Sequence, residues 1–462
     1  MKICIKNESQ RFLQFLQEEN NNNIIFSGIY GIGKSFFIND FFNNQHSEKY
    51  IPIFLTPVNY SVANNEDIFE YIKADILLQL LNKVPCDLNN CQISTSVATY
   101  YYIKNNLSSI IGNILSTAEK VCFKTDIIHQ LLELKKNIKK FQEDNSSSED
   151  KEIETFINDL SQKQGSIYES NIITQIIQTL ISNSKEGNKK EAILVIDDMD
   201  RIDPEHIFRI LNIFSAHNDF CGSNEHKFKF DKNIFVCDIE NIRKIFYAKY
   251  GADVDFSGYI DKFYSKEIFY FQNEREIARS IADQVLRIKG NRISNNLEYT
   301  YDCFVFILES LITFKQINIR TLQKLSYDYT FKEYVKYSLR DKIYIPHSPA
   351  ITIFEQLKHI IGSKDKLSSS LLYLSTKHHY RIEENRPNGF FEIFIALADF
   401  KNNKLNERDN KEFSYKNILY KIDGSLYTMA KINYSSLNYL NVNYFQTLYD
   451  AYINYTEFFT LY

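Results

Sequence analysis

Residues 24–35 of the chain read Ile-Ile-Phe-Ser-Gly-Ile-Tyr-Gly-Ile-Gly-Lys-Ser. The first four form a mainly apolar run between turn-forming residues, a pattern typical of a short strand buried in a parallel sheet. Residues 36–43 then continue with the spacing of a helix. The stretch therefore predicts a strand, a glycine-rich loop and a helix in immediate succession.

The loop itself, residues 28–35, matches the pattern G-x-x-x-x-G-K-[ST] at every position. Glycines let a backbone turn its amide groups inward around a phosphate, and the positive end of the following helix attracts the same anion. Lys34 is predicted to reach the β- and γ-phosphates, and the Ser35 hydroxyl to bind magnesium. The predicted nucleotide-binding residues are Gly28, Ile29, Tyr30, Gly31, Ile32, Gly33, Lys34, Ser35 and Phe36.

A second apolar run ends in carboxylates, in the sequence Ala-Ile-Leu-Val-Ile-Asp-Asp-Met-Asp-Arg of residues 192–201. A strand here would deliver them to the carboxyl edge of the sheet, where ligands of parallel α/β proteins bind. Asp197 is predicted to hold magnesium through water, and Asp198 to orient or deprotonate an attacking water. The alternative is a polar turn in which Asp200 or Asp203 caps a helix starting at Pro204, and the position of Pro204 favours Asp203.

Three further polar residues are candidates, each with an alternative. Asp238 follows the fourth predicted strand and either senses the γ-phosphate or caps the next helix. Arg320 lies in the helical region after the sheet and either stabilises transferring charge or is a surface arginine. Arg201 is expected first to pair with Asp198 or Asp200, and service to a neighbouring subunit is the alternative.

Strand and helix patterns alternate along the first 272 residues, which predicts a parallel sheet with right-handed crossovers. Residues 85–184 are helical and looser in pattern, and helical patterns dominate after residue 272. The predicted strands are residues 24–27, 50–55, 192–196, 234–237 and 268–271.

The composition limits the class of protein. A length of 462 residues with 44% hydrophobic content exceeds what one core usually holds. A net charge of −4 gives no global basic field, so nucleic-acid binding stays open but is not favoured. Seven scattered cysteines, no secretory leader and no apolar run of membrane-spanning length predict a cytoplasmic protein. No [NT]-K-x-D guanine-reading motif follows a strand, which favours adenine.

Together these motifs resemble the KAP family of P-loop NTPases, a branch of the signal-transduction ATPases. The resemblance implies an α/β fold with a five-stranded parallel sheet in the order 5-1-4-3-2, a helical insertion and a helical lid. It leaves the last third of the chain unexplained, and a mostly helical C-terminal region is predicted there. It implies for Lys34, Ser35 and Asp197 the roles given above. Ile32 stands where the family often has tryptophan. The matching stretches are residues 28–35, 193–201, 234–238, 256–263 and 318–320.

The predicted function is a magnesium-dependent ATPase that acts as a molecular switch, with ATP and Mg²⁺ as ligands. The resemblance suggests bacterial antiviral defence or signalling. One alternative is an assembly module with negligible turnover, which would bind a partner protein or further copies of itself through its C-terminal region. The other is a DNA loader or remodeller. The predicted divisions are 1–84 and 191–272 for the two halves of the NTPase domain, 85–190 for the insertion, 273–330 for the lid and 331–462 for a C-terminal domain.

Overall fold

The computed structural model describes residues 5–60, 68–83, 172–217, 226–286, 297–317, 319, 322, 337–339, 342–344, 349–376, 387, 389–404, 411–422, 429–433 and 443–461. The chain divides into two compact units. One is Asn7–Phe271, and the other is Gln272–Tyr462 together with Met1–Lys6. Most of the predicted insertion lies outside the described residues, and the finer division into domains stays a prediction.

The first unit contains a five-stranded parallel sheet in the order β2-β3-β4-β1-β5. This is the predicted order 5-1-4-3-2 read from the opposite edge, so the predicted fold class is confirmed. The three central strands are buried along nearly their whole length, as strands covered on both faces must be. The strands are β1 Asn23–Ser27, β2 Tyr50–Leu55, β3 Glu191–Ile196, β4 Lys232–Cys237 and β5 Phe269–Tyr270.

The described helices of this unit precede β1 or lie between successive strands. They are α1 Lys6–Leu16, α2 Lys34–Asp40, α3 Ile68–Lys83, α4 Ile172–Asn188, α5 Pro204–His217, α6 Ile239–Tyr250 and α7 Phe256–Ile260. A π-helical turn, Phe41–Gln45, extends α2. Short 3₁₀ turns occupy Pro57–Tyr60, Met199–Arg201 and Asp261–Phe263.

Two apolar layers fix the strand that precedes the glycine-rich loop. Successive side chains of a strand point to opposite faces, and β1 shows this directly. Ile25 joins a large core formed with residues of α3, α4, α5 and α6. Phe26 instead packs with Phe12 of α1, whose ring lies 5.1 Å from it and 4.9 Å from Phe41. Anchored on both faces, β1 holds the start of the loop in a defined place.

The second unit is mostly helical, as predicted. Its helices are α8 Glu274–Leu286, α9 Leu297–Thr313, α10 Pro349–Ile361, α11 Lys364–Ser375, α12 Phe390–Ala398, α13 Phe400–Asn403 and α14 Tyr444–Phe458. Helix α12 is buried almost throughout and lies against α14, so it forms the centre of the apolar core of the second unit. No described helix is long and apolar enough to cross a membrane.

Two small antiparallel sheets complete the second unit, and the sequence patterns did not predict them. One has the order β10-β9-β8 and the other β11-β6-β7. Strands of two to five residues are too short to establish an alternating pattern. The strands are β6 Tyr337–Leu339, β7 Lys342–Tyr344, β8 Phe413–Tyr415, β9 Ile418–Ile422, β10 Ala430–Ile432 and β11 Thr460–Leu461.

Candidate nucleotide-binding site

Three glycines shape the loop between β1 and α2, which we call the phosphate loop (residues 28–35). Gly31 and Gly33 have φ angles of 83° and 98°, a left-handed region in which other residues are strained. At Gly28 the constraint is space, because an added Cβ would lie 3.2 Å from Ile32 Cγ2 and 3.3 Å from the carbonyl oxygen of Phe271. The loop therefore needs glycine for backbone conformation at two positions and for close packing at a third.

The Lys34 ammonium lies within the curve of the phosphate loop. Its Nζ donates hydrogen bonds to the carbonyl oxygens of Gly28, at 2.8 Å, and of Ile29, at 3.3 Å. The residue is only 7% exposed, although it opens helix α2. The positive charge is thus held where a phosphate seated on the loop would meet it.

The remaining side chains of the phosphate loop and of the first turn of α2 include one buried residue and several exposed ones. Ile32 is buried and helps to hold the loop against the protein. Tyr30 and Phe36 are 45% and 68% exposed, and Ser35 is exposed on the first turn of α2. The Ser35 hydroxyl is accordingly accessible to a ligand at the amino end of this helix.

Hydrogen bonds bring the phosphate loop and the acidic strand end to the same edge of the sheet. Strand β4 lies between β1 and β3. Directly after the paired strand residues, the amide of Gly28 donates a hydrogen bond to the carbonyl oxygen of Cys237 at 3.1 Å. The amide of Asp197 likewise donates to the carbonyl oxygen of Leu55 at 2.9 Å. The loop and the carboxylates are therefore presented at the carboxyl end of parallel strands, the position predicted from sequence.

The backbone turns sharply at the acidic pair. Asp198 has φ 54° and ψ 34°, in the left-handed region that aspartate and asparagine tolerate better than most residues. Its amide donates to Asp197 Oδ1 at 2.8 Å. Its carboxylate accepts from Arg201, with Nη1 and Oδ2 2.7 Å apart, so the predicted Arg201–Asp198 ion pair is confirmed. Asp198 is thus fixed at both its backbone and its side chain.

The charges around Asp198 connect the acidic pair with the phosphate loop. Burial raises the pKa of its carboxyl group, and the carboxylates of Asp197 and Asp200 raise it further. The guanidinium of Arg201 and the ammonium of Lys34 act in the opposite direction. Because Lys34 belongs to the loop, both halves of the predicted site influence one carboxyl group.

Asp238 is buried at the end of β4, and its carboxylate makes no cap bond to helix α6. The amide of Ile239 instead donates to Ser27 Oγ at 3.1 Å, and the amide of Ile242 to the backbone oxygen of Asp238 at 3.0 Å. Capping of α6 by the Asp238 side chain, one of the two alternatives, is therefore wrong. Ser27 takes that role, and its only sequence signal was a hydroxyl at the end of an apolar run.

Two other predicted residues have different outcomes. The Asp203 carboxylate accepts a hydrogen bond from the amide of Glu205 at 2.8 Å, so its prediction as a helix cap is confirmed. Arg320 lies outside the described residues, and its predicted role stays a prediction.

The oxygen donors at this edge fit a magnesium ion. Mg²⁺ prefers one or two protein oxygens, waters and substrate phosphates over a cage of protein ligands. The Ser35 hydroxyl and the Asp197 carboxylate are donors of that kind. Across the described ranges no three His, Cys, Asp or Glu side chains converge as a metal cage.

Comparison with known families agrees with this geometry. The model of the KAP family P-loop domain matches residues 5–334, which is more than two-thirds of the chain. A search of curated proteins found no significant match. The family match includes the phosphate loop, the acidic strand end and all five strands of the parallel sheet. The chain therefore belongs to the KAP family of P-loop NTPases and is a nucleotide-binding protein of that class.

Proposed function

We propose that the chain is a magnesium-dependent ATPase that works as a molecular switch. The observation that carries the proposal is the placement of Lys34 and the pair Asp197–Asp198 at one edge of the sheet. Phosphate binding alone requires only the loop. The adjoining carboxylates add the groups that hydrolysis needs, one for the metal and one for water.

Each residue has a proposed role in this reaction. The loop amides and Lys34 bind the β- and γ-phosphates, and Ser35 and Asp197 hold the magnesium ion, Asp197 through water. Bound magnesium neutralises charge on the phosphate oxygens. Asp198 orients the attacking water or accepts its proton.

Asp238 and Arg320 are proposed to respond to the γ-phosphate. The burial of Asp238 at the end of β4, which lies between β1 and β3 in the sheet, supports this role. Arg320 is proposed from its place in the sequence after the sheet. Adenine is the proposed base because the chain has no guanine-reading motif after a strand.

The second unit is the proposed output of the switch. Residues beyond 334 lie outside the family match, and they include the buried helix α12, whose Phe390 packs against Phe306 of α9. We propose that this region binds a partner protein or further copies of the chain in response to the nucleotide.

Steady-state phosphate release tests the proposal. The full chain should hydrolyse ATP in the presence of magnesium and should prefer ATP to GTP. Hydrolysis should stop when the metal is chelated. Asp198→Asn should lower kcat by about 100-fold or more, the usual contribution of a positioned base, and leave the Kd for ATP within a few-fold. A parent chain that binds ATP without turnover would contradict the ATPase assignment and favour the assembly module.

A further inference from the structure

Arg201 contacts both halves of the nucleotide site. Its Nη1 lies 2.7 Å from Asp198 Oδ2, in the acidic half of the site. Its guanidinium carbon lies 4.9 Å from the ring centre of Tyr30, in the middle of the phosphate loop. Its backbone amide also donates to the backbone oxygen of Asp198, at 3.1 Å. Arg201 therefore bridges two segments that are far apart in the sequence.

The chemistry of arginine suits this double contact. A guanidinium group is planar, so it can stack on an aromatic face while its in-plane N–H groups donate to a carboxylate. An exposed ion pair three residues apart normally contributes only about 0.2–1 kcal/mol, because both side chains remain free to move. Here the Tyr30 ring restricts the guanidinium from a second direction, so the pair with Asp198 is held in one geometry.

We propose that Arg201 is a positioning residue that links the phosphate loop, through Tyr30, to the carboxylate of Asp198. This inference rests on the proposed hydrolysis at the same site. The backbone of Asp198 is fixed by its left-handed conformation and by Asp197 Oδ1, so the guanidinium is the contact that sets the direction of its carboxylate. A change in the loop that moves Tyr30 moves that contact with it.

The linkage has a kinetic consequence. A misplacement of about 1 Å in a catalytic group can reduce a rate by about 100-fold without a comparable effect on substrate binding. Arg201 should therefore influence the chemical step through Asp198 more than it influences the affinity for ATP. It acts within its own chain, in contrast to an arginine that serves a neighbouring subunit.

Kinetics of four variants test the inference. Arg201→Gln should lower kcat by about 10- to 100-fold and change the Kd for ATP by less than about 3-fold. Tyr30→Leu should lower kcat less, because the ion pair remains, and Tyr30→Phe should retain more activity than Tyr30→Leu because it keeps an aromatic face. The double variant Tyr30→Leu/Arg201→Gln should be no slower than Arg201→Gln alone, since the two residues act in series.

Arg243 offers a matched control. It also pairs with a carboxylate three residues away, Glu240 at 3.2 Å, and its guanidinium also lies over a ring, that of Phe256 at 5.3 Å. Arg243→Gln removes the same kinds of contact from helix α6, outside the proposed machinery. It should leave kcat and the Kd for ATP as in the parent.

Hydrogen exchange of the 197–203 segment separates this inference from the proposed ATPase activity. Tyr30→Leu should increase the exchange of amides in this segment, and Arg243→Gln should not. A parent chain without turnover would overturn the ATPase proposal. The exchange result would still show whether Tyr30 is linked to Asp198 through Arg201. Unchanged exchange in Tyr30→Leu, a parental kcat in Arg201→Gln, or additive losses in the double variant would each overturn the linkage. So would recovery of activity on mixing Arg201→Gln with Lys34→Ala protein, because the arginine would then act between subunits.

Discussion

At the scale of single residues, the candidate site depends on backbone conformations that few side chains tolerate. Asp198 combines a left-handed backbone with the carboxylate proposed for catalysis. Gly33 has a left-handed φ angle of 98° just before Lys34. Substitutions at these positions change conformation as well as chemistry, and suitable controls can separate the two effects.

Asparagine and alanine at position 198 should differ in stability. Alanine in a left-handed conformation costs roughly 1–2 kcal/mol, whereas asparagine tolerates it. We expect Asp198→Ala to be less stable than Asp198→Asn by about 1 kcal/mol in urea denaturation, although both should have a strongly reduced kcat. Equal stability of the two variants would show that the left-handed turn is not maintained.

Gly33→Ala should weaken nucleotide binding by distorting the phosphate loop. An added Cβ would meet no atom within 4 Å, so the cost comes from the φ angle alone. Gly362, which directly follows α10, is the control, because its φ is 91° and its added Cβ is equally free of contacts. Both substitutions should reduce stability by roughly 1–2 kcal/mol, but only Gly33→Ala should raise the Kd for ATP, by about 10-fold or more. Equal ATP affinity in the two variants would contradict the conformational role of Gly33.

At the scale of elements, Ser27 joins the end of β1 to the start of α6. Its buried Oγ accepts from the first amide of α6, and it leaves the Asp238 side chain out of the capping role. The strand that carries the phosphate loop is thereby tied to the helix after β4. The position of Asp238 relative to the phosphate loop depends on this hydrogen bond.

Ser27→Ala should destabilise the first unit by about 1–2 kcal/mol, because it leaves a buried helix amide without its acceptor. Ser184 provides the comparison, since it is equally buried and its Oγ donates to the carbonyl of Ile181 within α4. Ser184→Ala removes only a donor to a carbonyl oxygen within α4, so it should reduce the free energy of unfolding by less than Ser27→Ala. Urea denaturation of both variants measures the difference, and a smaller loss for Ser27→Ala would contradict its capping role.

The strands and helices also show how much of the fold can be predicted from sequence patterns. All five parallel strands lie within two residues of their predicted bounds, because each is centred on an apolar run enclosed by the fold. Strand β5, Phe269–Tyr270, is shorter than predicted, because it pairs with β1 only at Phe26 and Ser27. The Ser27 cap and the Arg201–Tyr30 contact could not be predicted, because both join segments that become neighbours only through the sheet order.

At the scale of the whole molecule, a buried histidine links the stability of the first unit to pH. Phe228 donates its amide to His226 Nδ1 at 3.1 Å. Burial lowers the pKa of the imidazole to about 3, and the ammonium groups of Lys185 and Lys227 contribute in the same direction. The folded chain thus keeps His226 neutral where the unfolded chain, with an ordinary pKa of about 6.5, takes up a proton.

The stability that neutral His226 provides is complete above about pH 6.5 and is lost as the pH falls toward 3. Between pH 7 and pH 5 the loss from this group should be about 2 kcal/mol. In His226→Asn, which keeps an acceptor for the Phe228 amide, the drop in unfolding free energy over that interval should be smaller by about this amount. Urea denaturation at both pH values measures it, and parallel losses in parent and variant would contradict the assignment.

The central claim for the whole chain is that the phosphate loop binds a nucleoside triphosphate through Lys34. Isothermal titration calorimetry with ATP and magnesium, on the parent and on Lys34→Ala, tests it most directly. Loss of charge-assisted hydrogen bonds to phosphate should remove about 2–4 kcal/mol of binding free energy, a rise in Kd of roughly 30- to 1,000-fold, while the circular dichroism spectrum is retained. Equal affinity in the folded Lys34→Ala variant and the parent would contradict the account.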